Sequence, residues 1–91
     1  MTADADPAEL VAAAVTKVPG VAGLHAGLFG EIATYLPGQR ITGIRIAEDR
    51  TDVHVTVHYG SPVADTAARV REATAAIVGG VVDVTVEDVV A

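Results

Sequence analysis

The residue types in this chain that suit chemistry are three histidines, one serine and a glycine-rich run. His54 and His58 stand four apart, which on a helix would make a metal pair, and His25 is a third imidazole. The residues around them read as a strand, where four positions span roughly 13 Å. One ion with bonds of ~2 Å cannot bridge that gap. A site would need His25 to join one of the pair across a sheet, with a further ligand besides, and the chain has no cysteine to supply it. A small metal- or ligand-carrying protein using His25, His54 and His58 is the alternative reading. Two strand histidines on a polar sheet face are the plainer one.

The run VPGVAGLHAGLFGEIATYLPG, residues 18–38, fails the tests for a phosphate loop. No glycine in the chain is followed by lysine, and no two glycines are separated by a single residue, so neither the nucleotide P-loop nor the dinucleotide fingerprint is present. Gly20 reads as a helix stop and Gly38 as half of a Pro-Gly turn. Ser61, the only serine, reads as a helix cap, and a nucleophile also needs an oriented base and acid. Glu87 and Asp88 alternate along an expected strand and should point to opposite faces, while Glu48-Asp49 reads as a solvated turn. A small two-layer domain also offers little cavity for catalysis. No catalytic residue, no cofactor and no enzymatic activity are expected.

The elements that would hold these residues follow from pattern. Asp6-Pro7-Ala8-Glu9 is a helix start with an Asp cap, Pro at the first position and Glu three residues on. Leu10, Val11, Ala14, Val15 and Val18 follow at helical spacing, and Pro19-Gly20 stops the helix. Val21 to Ala26 is a short candidate strand. Residues 27–40 admit an irregular loop, a helical turn around Glu31 to Tyr35, or another short strand. Ile41 to Ala47 reads as one strand, with Ile44 and Ile46 on one face and Gly43 and Arg45 on the other. From Asp52 to Tyr59 alternation is cleanest: Val53, Val55, Val57 and Tyr59 point one way, His54, Thr56 and His58 the other. Ser61 and Pro62 open a second helix with stripe Val63, Ala67, Val70, Thr74 and Ile77, stopped by Gly79-Gly80. A last strand sets Val82, Val84 and Val86 against Asp83, Thr85 and Glu87, returning parallel to the 52–59 strand.

The expected fold is α+β, a two-layer sandwich in which a three- to four-stranded mixed sheet carries two helices on one face, in the order α-β-β-β-α-β. One domain should span residues 1–91, with 1–5 disordered. A net charge of −6 and scattered basic residues argue against nucleic acid, and 3% aromatic content argues against stacking platforms. The N-terminus lacks signal-peptide character and no apolar run reaches the ~20 residues of a membrane span. A cytoplasmic protein without direct membrane insertion is expected. The other face of the sheet, with Arg45, His54, Thr56, His58, Asp83, Thr85 and Glu87, is the candidate interaction face. A sheet edge could also accept a strand from a partner.

The segments VPGVAGL, ITGIRI, VHVTVHYG followed by SPVADTAARVREAT, and VDVTVEDVV resemble, in their order and spacing, the alkaline shock protein family of Gls-type general and envelope stress proteins. The likeness runs from about Leu10 to Val89. It rests on Gly20, Val21, Gly23 and Leu24, on Gly43, and on Tyr59-Gly60 before the second helix. The resemblance implies a non-enzymatic cytoplasmic protein held at the inner membrane face by a small membrane-anchored partner, with self-association and a role in envelope homeostasis. It carries over no catalytic residue. Inserted between the first two strands is HAGLFGEIATYLPGQR, which resembles an actinobacterial-type variant.

Overall fold

In a computed structural model, residues 5–91 are described. The expected disorder of residues 1–5 lies, for residues 1–4, outside the described residues. Helix α1 (Pro7–Thr16) starts where its sequence dictates. Asp6 accepts the Ala8 N–H at 2.9 Å and Glu9 accepts the Asp6 N–H at 3.1 Å, which satisfies two of the free donors of the first turn.

Strands β1 (Val21–Leu24), β4 (Ile44–Ile46), β5 (Thr51–His58) and β6 (Val82–Val90) form the main sheet. Together with α1 and with α2 (Val63–Val78), they run in the expected order α-β-β-β-α-β. β5 is central. β6 pairs along one side of it in parallel, while β4 and β1 share the other side end to end, both antiparallel.

Both helices cover the face that carries Val53, Val55 and Val57, each fully buried with Val11, Val15, Ile44 and Val70. Burying one such side chain contributes about 1.5–3 kcal/mol, so this valine comb is the main source of stability. The helix stripes differ in detail from the expected ones. In α1 the buried residues are Ala8, Val11 and Val15, and Leu10 is 46% exposed. In α2 they are Thr66, Val70 and Thr74, with Val63 exposed. Ala67 and Ile77 are only half-buried. Thr74 fits an apolar layer because its hydroxyl donates to the Val70 carbonyl at 2.8 Å. Gly79, with φ +70°, ends α2 as anticipated.

The inserted segment resolves as an irregular loop over residues 25–32 followed by a short hairpin, so two of the three options share it and the helical turn around Glu31 to Tyr35 is absent. β2 (Ala33–Leu36) pairs antiparallel with β3 (Gln39–Thr42) around Pro37-Gly38. The single strand expected over Ile41–Ala47 is therefore divided, because Ile41 and Thr42 belong to the hairpin and Ile44–Ile46 to the main sheet. Gly43 is the joint. At φ +83° its N–H donates to the Ile32 carbonyl (2.7 Å) and its carbonyl accepts from the His54 N–H (2.9 Å), tying the hairpin to β5. A Cβ there would lie 2.9 Å from the His54 carbonyl oxygen and from the Leu24 Cβ, so only glycine fits. The Thr34 hydroxyl donates to the Ile44 carbonyl at 2.6 Å, and the Gln39 amide to Glu9 at 2.7 Å, anchoring the hairpin to β4 and to the first turn of α1.

Candidate interaction face

The face of the sheet opposite the helices brings the candidate residues together in paired form. Strand pairing sets Asp52 beside Asp83, an unfavourable neighbour for either acid. Two arginines offset this: Arg45 reaches Asp52 at 3.3 Å and Arg50 reaches Asp83 at 2.9 Å. Asp83 beside Arg50 holds that guanidinium's proton more tightly than usual, raising its pKa. Both arginines are about half exposed, so water and salt screen each pair and it adds little to stability.

At the centre of the face, His54 Nδ1 lies 2.5 Å from Glu87 Oε2, and both side chains are largely covered. Thr56 is half-buried, while Thr85 and His58 are exposed. Asp52, Arg50 and Asp88 complete the face although pattern alone did not mark them. Asp52 could have been found from its place two residues before His54 in the same alternation, but the Arg50–Asp83 contact requires the parallel register.

The expected opposition of Glu87 and Asp88 is overturned by a β-bulge. Val55 pairs with Val86 and Thr56 with Asp88, which leaves Glu87 as the extra residue. Asp88 is thus in register with a residue of this face, and Glu87 contacts His54 on the same face. The bulge places two consecutive acids on one side, which strict alternation forbids.

The three histidines do not assemble into a metal site. His25 Nδ1 accepts the Gly27 N–H at 2.9 Å, His54 is engaged by Glu87, and His58 lies at the end of β5. Among the described residues no group of three or more His, Cys, Asp or Glu side chains is placed to hold a metal ion.

Ser61 is not the cap of α2. The N-cap is Pro62, with no side-chain cap bond, and the Ser61 backbone N–H instead donates to the His58 carbonyl at 3.0 Å. That turn also sends Tyr59 outward, 81% exposed, rather than into line with the core valines. Pro19, Gly20, Tyr59, Ser61, Thr66 and Arg69 line an open groove of about 550 Å³ beside it, a concavity larger than the sequence suggested.

Between β1 and β2, residues 25–32 form a tight loop. Gly30 N–H donates to the Gly27 carbonyl (3.2 Å) and Ile32 N–H to the Ala26 carbonyl (2.8 Å), while the Arg40 guanidinium holds the Gly30 carbonyl at 2.9 Å. The Glu31 carboxylate accepts the Phe29 N–H at 3.0 Å. These backbone donors, its own N–H first, hold the Glu31 carboxyl below the usual carboxylate range. The loop displays Leu28 and Phe29, which are 82% and 90% exposed.

The residues behind the family likeness are framework. Gly20, Val21, Gly23 and Leu24 lead into and form β1, where the Gly20 carbonyl accepts the His58 N–H at 2.8 Å. Gly43 joins the two sheets, and Tyr59-Gly60 turns the chain from β5 toward α2. No helix among the described residues is long and apolar enough to cross a membrane.

Comparison with curated proteins and with solved structures finds no match. Comparison with protein families matches residues 6–91, nearly the whole chain, to the alkaline shock protein family, which is described by a cell envelope-related function. The chain belongs to the alkaline shock protein family.

Proposed function

We propose that this protein is a non-enzymatic scaffold or adaptor in cell-envelope homeostasis and envelope stress, working through protein–protein contacts. A small membrane-anchored partner would recruit it from the cytoplasm to the inner face of the membrane. The observation that carries this reading is where the aromatic residues lie. The chain has three, Phe29, Tyr35 and Tyr59, and they are 90%, 73% and 81% exposed. The core is built from valine, isoleucine, alanine and threonine instead. Aromatic side chains dominate the energetics of protein interfaces, and an exposed one on a pre-formed loop binds with little ordering cost. Leu28 and Phe29 sit on such a loop. Self-association through the same surface would serve the same scaffold role.

Affinity capture from detergent-solubilised membranes tests this, comparing wild type with a Leu28→Ser, Phe29→Ser variant of unchanged melting temperature. The expected result is a retained protein with a membrane-spanning segment, identified by mass spectrometry, whose yield falls at least ~10-fold with the variant. A wild-type protein that is strictly monomeric by light scattering and retains nothing from membranes would overturn the reading.

A further inference from the structure

We propose that the outer edge of β6 binds an extended, lysine- or arginine-bearing segment of a partner protein as an added strand of the main sheet. The inference rests on the adaptor reading above and names the partner's chemistry. Among the described residues β6 pairs with β5 alone. Thr51 donates its N–H to the Val81 carbonyl and Tyr59 donates its N–H to the Val90 carbonyl. Alternation along the strand therefore turns the backbone groups of Val84 and Val86 outward. Val82 is buried, but every residue from Asp83 to Val90 is exposed or half-buried, so this stretch of edge is accessible. Past the bulge the Val89 N–H is taken by the Asp88 carboxylate at 2.8 Å, which confines the open stretch to the segment around Val84 and Val86.

Charge selects the occupant. Asp83, Glu87 and Asp88 lie along this strand, with Asp52 beside Asp83. A second copy paired antiparallel about Thr85 would set Asp83 of each chain against Glu87 of the other, and each copy carries a net charge of −6. The bulge also interrupts a long register. Acids and a bulge are devices that keep an edge from pairing with its own kind. Arg45 and Arg50 already face Asp52 and Asp83, yet against Asp52, Asp83, Glu87 and Asp88 together they leave this face with an acidic excess. A strand with basic residues on the same face meets that excess with opposite charge, and its backbone completes the free donors and acceptors.

The test uses an eight-residue capped peptide alternating lysine with valine, titrated into the full chain labelled with ¹⁵N. Expected are amide shifts and slowed hydrogen exchange centred on Val84 and Val86. Asp83→Asn with Asp88→Asn should weaken binding about threefold or more, and a peptide N-methylated at alternate residues should bind at least ~10-fold less well. Equal binding of the N-methylated peptide would reduce the effect to charge adhesion and overturn the inference. So would shifts centred on the Phe29 loop or on the Tyr59 groove. Protection of the same amides in a dimer before peptide is added would assign the edge to a second copy instead. If the peptide fails while membrane capture through Leu28 and Phe29 succeeds, only the edge inference falls; the converse removes the adaptor reading.

Discussion

Replacing Gly43 by alanine should be among the most damaging single-methyl additions this domain can receive. Two costs combine. The backbone at φ +83° is left-handed, a conformation that costs an L-residue about 1–2 kcal/mol. The new Cβ would also meet the His54 carbonyl oxygen and Leu24 Cβ at 2.9 Å and the His25 nitrogen at 3.0 Å. Two of these three neighbours are backbone atoms fixed by pairing between strands, so they cannot rotate away. Overpacking of this kind costs about 1–3 kcal/mol.

The sum of ~2–5 kcal/mol is a large part of the ~5–14 kcal/mol expected for a domain of this length. The clean measurement is a difference. Gly38 has a similar φ, +76°, but nothing within 4 Å of its would-be Cβ. Gly38→Ala therefore carries the backbone strain and the unfolded-state entropy gain without the collision. Urea unfolding of both variants should place Gly43→Ala about 1–3 kcal/mol below Gly38→Ala. Its melting temperature should be lower by at least ~4 °C. If the two variants agree within ~0.5 kcal/mol, then Gly43 is not a close-packed joint between the sheets, and the account of how the hairpin is attached is wrong.

Three further outcomes are expected. Asp6→Ala removes the side-chain half of the capping box on α1, leaving Glu9 on the residue-6 N–H, and should cost ~1 kcal/mol in urea unfolding; no change would mean the cap bond at 2.9 Å contributes nothing. Val55→Ala, at a fully buried site in the central strand, should cost roughly 2 kcal/mol, whereas Phe29→Ala at 90% exposure should stay within ~0.5 kcal/mol. Acid should destabilise through Glu9 and Glu31. Glu9 is held below the usual carboxylate range by the Gln39 amide first and the Asp6 N–H second, and Glu31 by backbone donors. A lowered folded value gives stability that is present above the unfolded value (~4.3) and is lost as pH falls through the still lower folded one. The melting temperature should drop between about pH 5 and 3, and Glu9→Gln with Glu31→Gln should flatten part of that drop. An unchanged acid slope in the double variant would refute this assignment.

Much of the architecture was legible in the sequence because it is written in local signals. The Asp6 cap, the Gly79 stop and the valine alternation of β5 each depend on residues within a few positions of one another. They sufficed for two helices, the main strands and the parallel return of β6.

Tertiary structure decided what depends on contacts between distant segments. The apparent single strand at Ile41–Ala47 splits at Gly43 because the Ile32 and His54 backbones claim opposite sides of that residue. Leu10 and Val63 fit a helical stripe but face outward, since the layer below each helix selects which arc is buried. Glu87 and Asp88 share one face only because β5 and β6 have unequal residue counts between matched pairs, a property of two strands together. Arg50 meets Asp83, 33 positions away, through the parallel pairing of β5 with β6 ahead of that bulge. Periodicity within one segment carries no record of its partner's register, so the sequence determined the elements while pairing across the sheet decided which charges meet and which backbone edge stays open.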